Sequence, residues 1–284
     1  MINATSLRLG YGVEKISQIK NEEGPIGVQI FDNRPFAVSE AAKEAEDNGA
    51  YLVDINMGCP VKKISKKGGG SALIKKPELA VDLVKRVRES VEIPVTVKTR
   101  LGWDDKDENI KDFLLRLQDA GASMITIHGR TRKQGYSGKA DWERIREIKE
   151  FLDIPVIANG DVNNSEDAIN CINKTGADGV MIGRGVLGSP WIIGEIDYAL
   201  KKMKDFKVPT LEQKLYLMIE HVDELIKDHG IHGLLIARKH IGWACKDFKG
   251  ASKLRNSLVR ATSQQEVKEL IKLMINTLNV NKKL

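Results

Sequence analysis

The sequence contains few cysteines and no long apolar segment. Its 284 residues include 3 cysteines, and this odd number of widely separated residues fits neither a disulfide framework nor the spacing of metal ligands. No apolar run approaches the roughly 18 residues that a membrane-spanning helix needs. Residues 1–10 also lack the charged-then-apolar order of a secretion signal. We therefore expect a protein of the reducing cytoplasm, with no metal site and no membrane span.

The composition is otherwise that of a globular protein with a basic excess. Hydrophobic residues make up 42% of the chain and charged residues 30%, which is ordinary for a folded domain. Lysine and arginine number 45 against 39 acidic residues, giving a net charge of +6. Such an excess is compatible with a polyanionic partner, including nucleic acid, but does not require one. The length allows one large barrel domain, alone or with a small appendage.

Short apolar runs alternate with amphipathic helical segments over the first two-thirds of the chain. We interpret the runs as continuous apolar strands that are buried on both faces, as in a parallel sheet. Predicted helices at 77–90, 109–120 and 165–174 separate several of them. This repeated strand–helix order predicts a parallel α/β fold. The six runs cover residues 27–31, 51–56, 94–99, 123–128, 155–159 and 179–183.

The number of strands bears on which parallel architecture is present. Six strands are clear and residues 1–4 resemble the tail of a seventh, whereas a closed (β/α) barrel has eight. An open doubly wound sheet needs fewer strands, but it predicts a glycine-rich phosphate turn directly after an early strand. The three glycines at 68–70 follow a basic loop instead. We therefore predict a TIM (β/α)8-type barrel that is N-terminally incomplete, with the open sheet as the alternative.

A different pattern begins after residue 200. Lysines and a proline at 201–209 are typical of a linker, and apolar residues then recur at helical spacing. Thr210 and Gln213 form a predicted capping box, Gly230 is predicted to end that helix, and a last helix is predicted from Ser263. We therefore divide the chain into a barrel segment at 1–200 and a small helical domain at 208–284.

Polar residues occur at the carboxyl end of each predicted strand, where the functional groups of a parallel barrel lie. Glycine-bearing turns can hold a phosphate on backbone N–H groups, and Arg184 would add a positive charge. Lys98 would bring a cation to the barrel mouth, where it could stabilise a reduced flavin. Any one of these residues alone is more typical of loop capping or a solvated rim. The pattern recurs at Gln29 and at residues 56–60, 98–100, 128–130, 159–161 and 183–185, and this recurrence indicates a site.

Cys59 lies in a turn at the predicted mouth. A single cysteine is most often a small buried apolar side chain. Here the turn Asn-Met-Gly-Cys-Pro at 56–60 is followed by four lysines between 62 and 67. An exposed thiol in an electropositive loop can act as a proton donor or a nucleophile. Cys171 and Cys245 lie in helical stretches, where we expect a buried structural role.

These motifs resemble the signatures of the tRNA-dihydrouridine synthases, and most closely those of the broad bacterial branch of that family. The resemblance runs in the family's order from about residue 1 to about residue 243, and Ala-Arg-Lys-His at 237–240 resembles a segment of the family's helical domain. The motifs are Asp-Ile-Asn-Met-Gly-Cys-Pro at 54–60, Val-Thr-Val-Lys at 95–98, Thr-Ile-His-Gly-Arg at 126–130, Ile-Ala-Asn-Gly-Asp at 157–161 and Met-Ile-Gly-Arg-Gly at 181–185.

The resemblance implies a flavoenzyme that acts on tRNA. It implies that NADPH supplies electrons to FMN, that a hydride reaches C6 of a uracil flipped out of the RNA, and that Cys59 protonates C5. Asn56 and Arg130 would hold the uracil edge, and Arg132, Arg238, Lys239 and His240 would contact phosphates. The residues implied to bind FMN are Gln29, Lys98, His128, Asn159, Gly160, Asp161, Gly183 and Arg184.

The chain departs from the family at its start. The family begins with a strand and loop reading roughly Pro-Met-Ala-Gly-Val-Thr-Asp, which cradles the flavin, whereas this sequence opens at what resembles the end of the second strand. We interpret the opening as a start site assigned too late or as a truncation. An open barrel edge would expose unpaired backbone, and the affinity for flavin would be in question.

Two other functions remain open at the level of sequence. One is an FMN-barrel dehydrogenase of a free pyrimidine, which would act without RNA. The other is a tRNA-binding protein without catalysis, which would bind RNA with a steep dependence on salt and carry no flavin. The sequence does not fix the oligomeric state, for which we expect a monomer, or the uridine that is modified.

Overall fold

The computed structural model describes residues 1–21, 24–105, 109–203 and 206–281 of the chain. Within these ranges, seven parallel strands form one sheet in which each strand pairs with the next along the chain. The strands are β1 Ile2–Asn3, β2 Gly27–Phe31, β3 Leu52–Asn56, β4 Val95–Arg100, β5 Met124–His128, β6 Val156–Asn159 and β7 Gly179–Met181.

The strand order distinguishes the two architectures that the sequence allows. The sheet runs from β1 to β7 in sequence order, which is the order of a (β/α) barrel. A doubly wound sheet reverses its order at a switch point, and the sheet of the described residues has no reversal. The predicted barrel-type α/β fold is therefore confirmed, and the doubly wound alternative is wrong. Residues 1–4 contribute the predicted additional strand, because Ile2 and Asn3 pair with Ile30 and Phe31.

Polar and apolar side chains alternate along the central strands. Partners across a parallel ladder point to the same face, and successive residues point to opposite faces. The strands are buried on both faces, as predicted, but the prediction of continuous apolar runs is wrong because one face is polar. The polar face carries Gln29, Asp54, Asn56, Thr96, Lys98, Arg100, Thr126, His128 and Asn159, and the apolar face carries Val53, Ile55, Val95, Val97, Ile125, Ile127, Val156 and Ala158.

Helices connect the strands and continue beyond the last of them. Pro35 and Pro77 occupy first helical positions, where the missing N–H of proline costs no hydrogen bond. The predicted capping box of Thr210 and Gln213 is confirmed. The α-helices are Ala4–Arg8, Val13–Ser17, Pro35–Asp47, Lys62–Ser65, Pro77–Ser90, Ile110–Asp119, Trp142–Phe151, Ser165–Thr175, Ile192–Leu200, Leu211–His229, Ile231–Ala244, Ala251–Leu258 and Gln264–Asn281, and 3-10 turns cover Gln18–Asn21, Gly70–Lys75 and Arg184–Val186.

The chain divides into two compact units. The first comprises Met1–Val162 and Glu166–Gly183, and the second comprises Asn163–Ser165 and Arg184–Leu284. The second unit has its own apolar core, in which Ala237, Ile241, Leu258, Val267 and Ile271 are fully buried. The helical C-terminal region is therefore confirmed, while the ranges 1–200 and 208–284 stay a prediction. Of the predicted linker, residues 204 and 205 lie outside the described residues.

Candidate active site

The carboxyl ends of the strands, together with the loops that follow them, hold most of the predicted site residues. Lys98 and Asn159 belong to β4 and β6, and the Lys98 ammonium donates a hydrogen bond to Asn159 Oδ1 at 2.8 Å. Burial lowers the pKa of Lys98 to about 8, because the charged form loses water, while the nearby Asp54 carboxylate opposes the effect. The structure thus brings a partly desolvated cation to the mouth of the strands, on the strand before His128 and two strands before Asn159.

The Cys59 turn begins at the end of β3 and is held from two sides. Asn56 Oδ1 accepts hydrogen bonds from the backbone N–H groups of Gly58 and Cys59, at 3.2 and 2.9 Å. The Cys59 carbonyl accepts from the backbone and the hydroxyl of Ser71, at 3.1 and 2.9 Å. Gly70 lies so close that an added Cβ would be 2.8 Å from the Cys59 carbonyl oxygen, and its φ of +58° also favours glycine. The cysteine, a free thiol, is partly exposed on a turn with fixed backbone.

Gln29 extends this hydrogen bonding to the neighbouring strand. Its amide nitrogen donates to Asp54 at 2.7 Å, and its oxygen accepts from the Asn56 amide at 3.0 Å. Asp54 is buried and also accepts from the Thr96 hydroxyl at 2.7 Å. Burial raises the pKa of Asp54, and the two hydrogen bonds and the Lys98 charge oppose that rise.

His128 at the end of β5 is held in its neutral form. Burial and then the charges of Arg100, Lys98 and Arg130 lower its pKa to about 3. Its Nε2 lies 3.4 Å from Arg130 Nη1, and its ring centroid lies 6.2 Å from that of Tyr136. A neutral imidazole at this position can donate one hydrogen bond and accept another at physiological pH.

Arg130, which is buried, forms an ion pair with the half-buried Asp161. Arg130 Nη2 lies 2.8 Å from Asp161 Oδ1 and from Asp161 Oδ2, and the guanidinium also donates to the carbonyls of Ser137 and Gly138. Asp161 accepts from the Ala140 backbone at 2.7 Å. Its φ of +59° is unusual for a residue other than glycine, and the ion pair supports this conformation.

The turn at 159–161 lies close to the side chains of Ala140 and His128. A Cβ on Gly160 would meet the Ala140 side chain at 2.9 Å and the His128 ring at 3.0 Å. Asn159 fixes the neighbouring strand, because its amide nitrogen donates to the Met181 carbonyl at 2.7 Å. Gly183, two residues beyond Met181, is exposed, and a Cβ added there would meet the Asn159 amide nitrogen at 3.9 Å.

Arg132 lies on an aromatic side chain that the sequence analysis did not identify. Its guanidinium carbon is 4.5 Å from the centroid of the Trp103 ring, and the Lys75 ammonium is 4.3 Å from the same centroid. Such cation–π contacts hold a cation at low cost in side-chain entropy. Arg132 Nε is buried with no hydrogen-bond partner among the described residues.

The remaining predicted residues lie in the second unit. Arg184 is exposed at the start of a 3-10 turn. Arg238, Lys239 and His240 follow one another on the helix Ile231–Ala244, where Lys239 is exposed and Arg238 donates to the Ala261 carbonyl at 3.4 Å. Partial burial lowers the pKa of His240, and the neighbouring His221 and Lys239 act in the same direction.

Several buried polar residues on the same face were given no role by the sequence analysis, although Arg100 belongs to the predicted strand-end set at 98–100. Arg100 is 3% exposed and donates to the carbonyls of Gly58, Thr131 and Gly135, so it joins the Cys59 turn to the loop after β5. The Thr126 hydroxyl is buried without a hydrogen-bond partner in the described part of the chain. The alternation of polar and apolar residues along β4 and β5 was the signal that could have identified them, together with Asp54 and Thr96.

Two kinds of site find no support in the described ranges. No group of three or more His, Cys, Asp and Glu side chains there has the arrangement of a metal site. No helix within those ranges combines the length and the apolar character that crossing a bilayer requires.

The matching family model and the curated relatives indicate the same family. The family model for dihydrouridine synthase (Dus) matches residues 1–280. A relative from Synechocystis sp. named "Probable tRNA-dihydrouridine synthase 1" is 50% identical over 277 residues, which cover 98% of this chain and 78% of the relative. The tRNA-dihydrouridine synthase B of Vibrio vulnificus is 39% identical over 254 residues, covering 88% of this chain and 79% of the relative.

Proposed function

We propose, on the premise that this chain belongs to the dihydrouridine synthase family, that it reduces the 5,6 double bond of uridines in tRNA to dihydrouridine. The observation that carries the proposal is the arrangement around Cys59. A partly exposed thiol lies on a turn fixed by Asn56, at the end of the strand that pairs with the strand of Lys98. A proton donor and a cation are thus available on neighbouring strands, as the reduction of an electron-poor double bond requires.

The polar face has features that suit FMN. It offers a desolvated cation in Lys98, a buried hydroxyl without a partner among the described residues in Thr126, and amide groups in Gln29 and Asn159. Gly183 is exposed at the end of β7, where a backbone N–H group could hold a phosphate, as such groups at strand ends commonly do. These features support a binding set of Gln29, Lys98, His128, Asn159, Gly160, Asp161, Gly183 and Arg184.

The chemistry divides between the cofactor and the chain. When bound, FMN would supply the hydride that C6 of the uracil accepts, and NADPH would reduce it again. Lys98 would stabilise negative charge on the reduced flavin, and neutral His128 would contribute a hydrogen bond without a second cation. Cys59 donates the proton that C5 needs, which completes the reduction with both added hydrogens accounted for.

The uracil would be held beside Cys59 by Asn56 and Arg130. A base stacked in RNA cannot reach this mouth, so the nucleotide must be flipped out. Arg130 has Asp161, Ser137 and Gly138 as partners for Nε and Nη2. Its Nη1 lies 3.4 Å from His128 Nε2 and carries a second N–H that could meet a substrate. The contact with the Trp103 ring would hold the Arg132 guanidinium in place to bind a phosphate.

The helical domain at 208–284 would bind the body of the tRNA. Arg238, Lys239 and His240 lie in succession on one helix, and contacts from such side chains to phosphates give affinity without sequence readout. The three thiols of the chain are free, which agrees with a reducing cytoplasm as the place where enzyme and tRNA meet. The barrel segment at 1–200 would then carry the chemistry.

The visible spectrum of the purified chain with FMN tests this function. We expect a flavin band that bleaches with NADPH and recovers when bulk tRNA lacking dihydrouridine is added. Recovery with free uracil or orotate in place of tRNA would instead support a dehydrogenase of free pyrimidines. Binding of tRNA by a chain that takes up no flavin would support a tRNA-binding protein without catalysis.

A further inference from the structure

A chain of side-chain hydrogen bonds leads from a buried carboxylate to the Cys59 turn. Asp54 accepts from Gln29 at 2.7 Å, and Gln29 accepts from Asn56 at 3.0 Å. Asn56 in turn accepts from the backbone N–H groups of Gly58 and Cys59, at 3.2 and 2.9 Å. Each link uses one end of a primary amide, so the orientation of one side chain determines that of the next.

The groups at both ends of this series of hydrogen bonds determine how the Asn56 and Gln29 amides are oriented. The N–H groups of Gly58 and Cys59 can only donate, so Asn56 must turn its oxygen to them and its nitrogen to Gln29. Gln29 must then turn its oxygen to Asn56 and its nitrogen to Asp54. Every partner is satisfied only if the group at position 54 accepts a hydrogen bond, which a carboxylate does with both oxygens.

We propose that Asp54 is a positioning residue for Cys59, acting through Gln29 and Asn56 by accepting the hydrogen bond that sets the direction of both amides. The proposal rests on the proposed role of Cys59 as the proton donor, because that role requires a fixed turn. Asp54 lies two residues before Asn56 on β3. Within the described residues, its side chain accepts hydrogen bonds from Gln29 and Thr96 and makes none with the Cys59 turn.

The surroundings of Asp54 keep it an acceptor. Thr96 donates to its second oxygen at 2.7 Å, and the Lys98 charge lies near enough to oppose the rise in pKa that burial causes. A protonated Asp54 could donate a hydrogen bond to Gln29 and so reverse the orientation of both amides. The Asn56 amide nitrogen would then face the backbone N–H groups of Gly58 and Cys59, which are also donors. Gln29, Thr96 and Lys98, from the two strands that flank β3, are the groups that disfavour this reversal.

Amide hydrogen exchange in the full chain tests the proposal without tRNA or flavin. In Asp54→Leu, Gln29 loses its acceptor, and we expect exchange at Gly58 and Cys59 to become about tenfold faster, as the loss of about one hydrogen bond predicts. Alkylation of Cys59 by iodoacetamide should change in rate with it. Asp54→Asn removes the charge but keeps an oxygen that can accept from Gln29, so its exchange should stay within about threefold of the unmutated chain.

Two further variants isolate the route through Gln29. Gln29→Leu alone should accelerate exchange at Gly58 and Cys59 to the same extent, and Asp54→Leu should add nothing further in that background. Thr96→Val removes the other hydrogen bond to Asp54 and should leave the turn unchanged. This variant controls for loss of any polar contact at Asp54.

Three results would overturn the proposal. Equal effects of Asp54→Asn and Asp54→Leu would show that charge, and not hydrogen-bond acceptance, is what matters. An added effect of Asp54→Leu on the Gln29→Leu background would show a route that bypasses Gln29. If Asp54→Leu fails to fold, unchanged exchange in Gln29→Leu alone is sufficient to refute the relay. Because none of these readouts needs product formation, they stay informative if the proposed reaction is wrong.

Discussion

Lys98 offers a quantitative test of the electrostatics of the polar face. The structure buries its ammonium group beside Asn159 and lowers its pKa from 10.5 to about 8. Between those two values the unfolded chain binds one more proton than the folded chain does, so stability must rise with pH. The gain in the free energy of unfolding that comes from deprotonating Lys98 is absent below about pH 8 and complete near pH 10.5. At about 1.36 kcal/mol per pH unit, the full change is about 3 kcal/mol.

Lys98→Met removes this proton linkage while keeping a long unbranched side chain. The variant also loses the hydrogen bond to Asn159, but this loss changes the stability by a similar amount at every pH. Compared with the variant, the unmutated chain should therefore gain up to about 3 kcal/mol in its free energy of unfolding between pH 7 and about pH 10.5. Groups that titrate in both chains cancel in the comparison.

Urea denaturation followed by circular dichroism measures the required free energies, since urea does not screen charges. Lys66→Met, at an exposed position, is the matched control and should show the pH dependence of the unmutated chain. A stability difference between Lys98→Met and the unmutated chain that does not change from pH 7 to pH 10 would refute the reasoning. Lys98 would then be hydrated in the folded protein, and its proposed influence on a flavin would lose its basis.

Other predictions concern stability at acidic pH, the Cys59 turn and the proposed contact of Lys239 with RNA. The folded structure lowers the pKa of His128 from 6.5 to about 3, so neutral His128 contributes its full stability above pH 6.5. Relative to His128→Gln, the free energy of unfolding measured in urea should fall by about 2 kcal/mol between pH 6.5 and about pH 5. A stability difference between the two chains that stays constant over this range would contradict the prediction. Gly70→Ala and Gly176→Ala both place alanine at positive φ, which should cost about 1–2 kcal/mol in each variant. Gly70→Ala should lose more, because its Cβ would lie 2.8 Å from the Cys59 carbonyl oxygen, and only this variant should alter the alkylation rate of Cys59. Lys239→Gln should weaken tRNA binding and reduce the slope of log affinity against log salt by about one; an unchanged slope in filter binding would place Lys239 away from the RNA.

The sequence was sufficient for the fold because short runs with strand character recur between amphipathic helices. Strand β2 has the predicted bounds, and β3, β5 and β6 each begin one residue later than predicted. Strand β4 is shifted by one residue at both ends, and β7 ends two residues earlier than predicted. Residues 1–4 were interpretable as a strand because of their place before the repeat. The polar face was missed because Val-Asp-Ile-Asn and Val-Thr-Val-Lys were treated as apolar runs, although their alternation predicts a face of each kind.

The contacts among the site residues depend on chain segments that only the fold brings together. Arg130 and Asp161 are 31 residues apart and form an ion pair through their places after β5 and β6. Trp103 and Arg132 meet in the same way between the loops after β4 and β5. The periodicity of apolar residues and the motifs indicate at which end of a strand a residue lies. They do not indicate which residue of another loop it contacts.

The most direct test of the proposed reaction is the dihydrouridine content of tRNA after incubation with the chain. The full chain, FMN, NADPH and tRNA lacking dihydrouridine are combined, and nucleosides are quantified by mass spectrometry. We predict product from the unmutated chain and from Cys171→Ala, and a rate about 100- to 10,000-fold lower from Cys59→Ala, as for loss of a general acid. No product from a chain that binds FMN, or equal rates for the two cysteine variants, would contradict the account.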